Sequence, residues 1–456
     1  MAVTPDTQTR LSNSVDAQLD RMPVGRVHRK VIVAIGLGLF FDIYEVFLSG
    51  SISTALGVQF KITGTTLSLL LASAFIGMFV GASVLGGLAD RFGRRKAFLF
   101  NLIWYSAWSL IAAFSPTAWF LIVARFLAGV GVGAEYPVAD AYLSDVLPKD
   151  KRGRLASWAY TCSFIAVPIV GFLALWLNSA NPGGIPGWRY MLGLGGVGAL
   201  VVLFLRRGLP ESPRWLARVG RNDEAVAALR VFADGAGVAV EPVTGGEGQD
   251  PAPQTTRAPR LTQQPYAKRM VMLVVFHLFQ GWGYYGFGTL SSLVLVANGQ
   301  SVTQSLLYTA ISFLGYPVGS VLAVPLMRYE RKYLLIGSIL AMALFGILFA
   351  TSSLPVLIVV FGFLTTAISN VFSNVYHVYQ AEIFPTTLRA TAVGRTYSLS
   401  RLSSAALPFI LLPVLTAFGA PVMFSLVAFV LLIITGFVIG IGPKTSYRSV
   451  VEINPE

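Results

Sequence analysis

The sequence predicts an all-α integral membrane protein with roughly twelve spanning helices in two groups of six. Three observations carry this. Only 12% of the 456 residues are charged while 55% are hydrophobic, whereas soluble chains carry about a quarter charged residues. Apolar runs long enough to cross a bilayer, about twenty residues each, recur along the whole chain. Short loops rich in Lys and Arg alternate with loops that have almost none, as the positive-inside rule requires.

The runs fall near 31–56, 66–89, 97–114, 118–144, 155–177 and 188–208, then near 270–297, 303–327, 333–352, 354–381, 391–417 and 420–443. The expected organisation is therefore a segment at 1–30, a first bundle at 31–208, a central loop at 209–268, a second bundle at 269–443 and a tail at 444–456. Arg21, Arg26, Arg29 and Lys30 precede the first span, and Arg91, Arg94, Arg95 and Lys96 follow the second. Lys149, Lys151, Arg152 and Arg154 follow the fourth, and Arg328, Arg331, Lys332, Arg389, Lys444 and Arg448 occupy the matching places of the second half. The alternate loops hold little beyond Lys61 and Arg189. Both termini are thus expected in the cytoplasm. The net charge of +13 resides in these loops, where anionic lipid headgroups explain it better than nucleic acid.

Residues 1–30 are polar, with no apolar core that would mark a cleavable signal, so the first span is expected to target the chain. The central loop is helix-prone over Glu211–Asp234 and reads as a flexible linker over Gly235–Pro265, too short to bury a catalytic core. A single cysteine, Cys162, and three histidines provide no disulfide, metal set or nucleophile constellation. No enzyme activity and no cofactor are expected.

Five motifs then point to a family. The loop Gly86-Gly87-Leu88-Ala89-Asp90-Arg91-Phe92-Gly93-Arg94-Arg95 after span two resembles the signature loop of the major facilitator superfamily. Pro210-Glu211-Ser212-Pro213-Arg214-Trp215-Leu216, Asp145 with Lys151-Arg152-Gly153-Arg154, and Glu382-Ile383-Phe384-Pro385-Thr386-Thr387-Leu388-Arg389 resemble its sugar-porter and organic-ion branches. Leu19-Asp20-Arg21-Met22-Pro23 with Lys30 is similar to bacterial inner-membrane carriers related to niacin and aromatic-acid transporters. The resemblance implies the major facilitator fold, a monomer in the bacterial plasma membrane, and alternating access for a small-molecule substrate with protons. It also implies a gating role for Gly86, Asp90, Arg91, Gly93, Arg95, Asp145, Arg154, Glu382 and Arg389, which would join the two bundles at the cytoplasmic side. Arg94 and Lys96 read as topology setters only. The second-half loop, Met327-Arg328-Tyr329-Glu330-Arg331-Lys332, lacks the aspartate and glycine, so the gate is expected to be asymmetric.

Charge inside a bilayer costs about 2.5–3.5 kcal/mol even on the mildest scale, so each intramembrane ionisable residue calls for a role. Asp42 and Glu45 stand at i and i+3 on one helix face. They are expected to repel one another and share a proton, with a salt bridge to Arg125 as the alternative. Glu135, beside Pro137, is the third acid of the proton-coupling candidates, which also include Arg125. The glycines Gly129, Gly131 and Gly133 read as helix-packing positions. Span seven places Gln280, Tyr284 and Tyr285 among glycines, and Tyr44 lies in span one. Asn370, Asn374 and His377 form a stripe at i, i+4 and i+7 in span ten. These residues, with Arg395 and Arg401 of span eleven, are the substrate-binding candidates. A buried arginine grips a carboxylate through two parallel hydrogen bonds; anion-carrying relatives of the organic-ion branch place an arginine where Arg401 stands. The expected function is proton-coupled uptake of a small organic anion, an aromatic or heteroaromatic carboxylate. A sugar or polyol symporter, a drug or metabolite exporter and a non-transporting membrane sensor stay open as alternatives.

Overall fold

The computed structural model describes residues 5–85, 91–241, 260–446 and 453, and within them the side chains of 5–10, 153, 154, 157, 386, 387, 389–391, 394 and 395 are not described. Gly86 and Asp90 therefore lie outside the described residues, as do the side chains of Arg154, Arg389 and Arg395.

A short amphipathic helix α1 (Pro5–Arg21) precedes the first bundle. That bundle comprises α2 (Arg26–Phe60), α3 (Gly64–Val84), α4 (Arg94–Ala113), α5 (Ala118–Val146), the pair α6 (Arg152–Ser163) and α7 (Ala166–Ala180), and α8 (Gly187–Arg207). Two short helices, α9 (Pro213–Arg218) and α10 (Asn222–Ala236), belong to the connection. The second bundle comprises α11 (Tyr266–Ala297), the pair α12 (Val302–Phe313) and α13 (Gly315–Leu326), α14 (Arg331–Thr351), α15 (Pro355–Glu382) and α16 (Thr386–Ile441). The last holds two spans, bent where Gly419 takes a positive φ of 82°. The result is the twelve-span, two-bundle architecture that the hydropathy pattern predicts.

Local chemistry explains the interruptions. Proline lacks an N–H and clashes with the carbonyl four residues back. Pro168 thereby breaks span five at Phe164, and Pro317 breaks span eight at Phe313. The glycines of α5 alternate between neighbours. Gly129 and Gly133 lie against the backbone of Ala74 and Met78 in α3, while a Cβ on Gly131 would sit 3.0 Å from the Asn101 carbonyl oxygen in α4. Residues two apart point to opposite sides of a helix, so the alternating pattern lets two helices approach α5.

The central connection is helical where helix was expected, in α9 and α10, and residues 242–259 of the expected linker lie outside the described residues. Trp215 and Leu216 of α9 and Leu229 and Phe232 of α10 form a separate apolar core with Val15 and Leu19 of α1, Val31 and Ile35 of α2 and Leu143 of α5. Arg214 ties it to α1 by ion pairs to Asp16 (3.1 Å) and Asp20 (2.6 Å). The stretch alone has little core to bury; the N-terminal segment supplies the missing half.

Hydrogen bonds cross between the bundles at the end opposite the basic loops. The Ser68 hydroxyl donates to the Pro408 carbonyl and the Ser292 hydroxyl to the Gly50 carbonyl, each at 3.1 Å. Below them an aromatic layer fills the midplane: Phe47 packs edge-on against Tyr284, Phe313 and Tyr316, and Phe75 against Tyr285. Towards the basic end, Asp140 of α5 and His377 of α15 are exposed to the space between the bundles. Among the described residues the hydrogen bonds between the bundles thus lie at the far end, and the polar space that Asp140 and His377 line is the central cavity.

Candidate functional site

The two acids of α2 have different partners. Glu45 forms an ion pair with Arg125, both almost fully buried, and accepts from the hydroxyls of Ser109 (3.2 Å) and Tyr105 (3.4 Å). Arg125 also holds the Ser49 hydroxyl and the Glu45 carbonyl. Asp42 is 1% exposed, and its Oδ2 has no hydrogen-bond partner among the described residues. The charged groups that act on it are Glu135, Arg206, Arg401 and, least, Glu45. Of the two readings of these acids, Glu45 makes the salt bridge to Arg125 of α5, while Asp42, on the same face of α2, keeps an unpartnered oxygen.

Glu135 pairs with Arg206 at the end of α8, and each is 1% exposed. Arg206 also donates to the carbonyls of Ala34 (3.1 Å) and Ile35 (3.4 Å) in α2 and lies 4.6 Å from the centre of the Phe98 ring. A Cβ on Gly38 would run into this guanidinium, so glycine there is what lets the arginine lie against α2. The other Glu135 oxygen, Oε2, is buried without a partner among the described residues. Sequence reasoning missed Arg206 because an arginine at the end of a span reads as a residue reaching for the interface.

Arg401 is 4% exposed and has no carboxylate partner among the described residues. It donates to the hydroxyls of Tyr285 (2.9 Å) and Tyr397 (3.1 Å). Three rings surround it, those of Tyr136, Tyr285 and Tyr397, with centres 5.4–5.6 Å from its guanidinium carbon. Five N–H donors and two tyrosine partners leave donors to spare. On the same wall, Gln380 joins two histidines: its Oε1 lies 3.0 Å from His277 Nε2 and its amide nitrogen 3.3 Å from His377 Nδ1. His377 also stacks on Tyr376 with centres 4.2 Å apart. Across the cavity, Asp140 accepts from the Tyr160 hydroxyl, and Tyr160 lies parallel to Tyr136 at 6.5 Å.

Several expected substrate contacts are directed elsewhere. Tyr44 donates to the Met191 carbonyl at 2.8 Å and is buried against α8. The Asn370 amide donates to the Tyr316 carbonyl and to Ser320 Oγ, at 2.5 and 2.7 Å, so it serves the packing of α15 on α13. Asn374 donates back to the Asn370 carbonyl. Buried amides need partners, and α13 supplies them to the Asn370 amide nitrogen. Tyr284 belongs to the aromatic layer. Gln280 is buried beside the cavity residues without a hydrogen bond among the described residues.

At the basic end the described gating residues pair within their own bundle. Asp145 accepts from Arg94 Nε (3.3 Å) and from the Ser212 hydroxyl (2.9 Å). Arg94, read as a topology residue, is thus a buried ion-pair partner, while Arg95 donates to the Arg207 carbonyl at 2.6 Å and Arg91 lies over Phe92. Glu211 caps the start of α4, accepting from the backbone N–H of Arg94 (2.9 Å) and Arg95 (3.2 Å). Burial pushes its carboxyl above the ordinary glutamate range. Gly93, at a φ of 102°, leaves room for that carboxylate. The second bundle repeats the design despite its altered loop. Arg331 at the start of α14 pairs with Glu382 at the end of α15 (3.2 Å), Glu330 caps α14 through Lys332 N–H (3.4 Å), and the Ser446 hydroxyl accepts from Arg331 (2.9 Å). Each bundle thus has an arginine–carboxylate pair at this end, while Asp90, on which the expected asymmetry turns, lies outside the described residues.

Comparison with known proteins agrees with this fold. Residues 30–456 match the family described as sugar (and other) transporter. The chain is 31% identical over 436 residues to the inner membrane metabolite transport protein YgcS of Escherichia coli, covering 94% of this chain and 93% of that one. It is 29% identical over 446 residues to the niacin transporter NiaP of Acinetobacter baylyi, covering 96% and 99%. A partially occluded inward-open structure of the xylose transporter XylE from Escherichia coli superposes with a TM-score of 0.74 over 92% of this chain and 99% of that one, at 21% identity. The chain belongs to the sugar (and other) transporter family and is a membrane transporter of the major facilitator fold.

Proposed function

We propose that this transporter couples the uptake of a small organic anion, an aromatic or heteroaromatic carboxylate, to protons. One observation carries the reading: Arg401 is buried at the cavity among three tyrosine rings with no carboxylate beside it among the described residues. A planar guanidinium grips a carboxylate bidentately, and the rings of Tyr136, Tyr285 and Tyr397 offer flat apolar faces with hydroxyls to an aromatic ring. The niacin transporter among the relatives carries a molecule of this class by its name.

Charge balance supplies the coupling. Glu135, Arg206 and Arg401 are the charges nearest in effect to Asp42, and with all four groups ionised the charges cancel. An incoming anion leaves one uncompensated negative charge in a low-dielectric site, which is costly. A proton on Asp42, the acid with an unpartnered oxygen, restores balance. Glu45 and Arg125 neutralise each other and hold α2 against α5. The halves then rock about the site, with the basic end towards the cytoplasm of the bacterial plasma membrane by the positive-inside rule and the chain acting as a monomer. The arabinose–proton symporter of Bacillus subtilis, 28% identical, supports proton use in a relative.

The test is equilibrium binding to purified protein. Nicotinate or benzoate should bind, glucose should not, and Arg401→Ala should abolish acid binding while leaving the protein folded. Acid binding that survives Arg401→Ala at full affinity refutes the assignment.

A further inference from the structure

We propose that a crevice between α2 and α8, at the basic end of the bundle, binds the headgroup of an anionic phospholipid. The crevice has a volume of about 260 Å³ and is lined by Arg29, Lys30, Val33, Ala34 and Leu205. Its chemistry is split along the helix. Arg29 and Lys30 stand one turn before Val33 and Ala34, about 6 Å along the axis. A phosphate at the cations would therefore have apolar wall directly beneath it.

That wall faces outward: Val33 is 59% and Leu205 43% exposed, and the strip continues through Leu37 and Phe204. The cations are uncompensated. Neither Arg29 nor Lys30 pairs with a carboxylate among the described residues, and Lys30 reaches only the Gly208 carbonyl, at 3.4 Å. Topology alone requires basic residues in this loop region; it does not require a crevice beneath them with apolar walls. A free phosphate would satisfy the cations and leave the walls wet, whereas a lipid satisfies both, as basic pockets between spanning helices do.

The site also touches the coupling machinery. Ala34 lines the crevice, and its carbonyl accepts from Arg206 Nε at 3.1 Å. A lipid seated there presses on the stretch of α2 that anchors the Arg206–Glu135 pair, so occupancy should change the transport rate.

Native mass spectrometry of the purified transporter, with phosphatidylglycerol or phosphatidylcholine added, tests the proposal. The protein should retain phosphatidylglycerol selectively, and Arg29→Gln with Lys30→Gln should weaken retention roughly thirtyfold, from about 1 kcal/mol per cation. Leu205→Trp fills the crevice with both cations in place and should weaken it too, whereas Lys149→Ala, elsewhere at the same end, should not. Unchanged retention in the double variant overturns the site. Unchanged retention in Leu205→Trp, or displacement of the lipid by inorganic phosphate, reduces it to a surface phosphate contact and overturns the lipid assignment.

Discussion

The Arg206–Glu135 pair gives the sharpest test of how the first bundle is held together. Arg206→Gln removes a guanidinium that serves four partners: Glu135, the carbonyls of Ala34 and Ile35, and the Phe98 ring. Both members of the pair are 1% exposed, so solvent cannot compensate the orphaned carboxylate. Breaking a buried pair from one side costs about 3–5 kcal/mol, and the variant should lie near the upper end because the Ala34 bond goes as well. Glu135→Gln should cost less, about 3 kcal/mol, since Arg206 keeps its two carbonyls and the ring. The double variant should be more stable than the sum of the singles by roughly 2 kcal/mol, as coupled neighbours behave. Gly38→Ala should cost about 1–3 kcal/mol by overpacking, and Arg206→Gln should relieve that cost by withdrawing the guanidinium from its path. Unfolding of the purified protein in mixed micelles reads all five proteins. Additivity of the two single changes within about 0.5 kcal/mol would refute the direct pairing.

Three further outcomes follow from the geometry. Asp42→Asn should abolish accumulation driven by a pH gradient yet leave exchange of labelled for unlabelled substrate intact, and retention of gradient-driven accumulation would remove Asp42 from the coupling. Gly93→Ala forces a side chain into the left-handed region and against Glu211; it should lower stability by about 1–3 kcal/mol, read as a drop in apparent melting temperature, and a neutral result would contradict the packing. Glu211 lies above the ordinary glutamate range, so its titration contributes stability that is full below that range and lost as pH rises through the raised value. Glu211→Gln should therefore flatten the dependence of melting temperature on pH in the acidic range, and an unchanged slope would show that another group sets it.

The spans were legible because each is a run of apolar residues that the bilayer selects locally. The breaks at Phe164 and Phe313 were not, since Pro137, Pro408 and Pro413 sit inside unbroken helical stretches while Pro168 and Pro317 follow breaks. The pairing of acids was not. Glu135 and Arg206 are seventy-one positions apart, and nothing near either announces the other. Arg94 looked like any positive-inside arginine, and only the fold brings Asp145 to it. The symmetry of the basic end escaped motif matching because its capping acids come from different places: Glu211 follows span six, whereas Glu330 immediately precedes α14. The helix α1 has a polar sequence whose few apolar residues make sense only against α9 and α10. Arg401, by contrast, was singled out by the cost of burying an arginine in a span and by the resemblance to anion-carrying relatives. Its cage of tyrosines, drawn from α5, α11 and α16, could not be read from any one segment.

The central claim is that Arg401 binds the carboxylate of a substrate that enters with a proton. Uptake into proteoliposomes of radiolabelled nicotinate or benzoate, against glucose, with and without an inward proton gradient, tests it most directly. The account predicts gradient-stimulated uptake of the acids, lost in Arg401→Ala. Glucose uptake with no response to the acids would contradict it and leave Arg401 a structural counter-ion to Asp42.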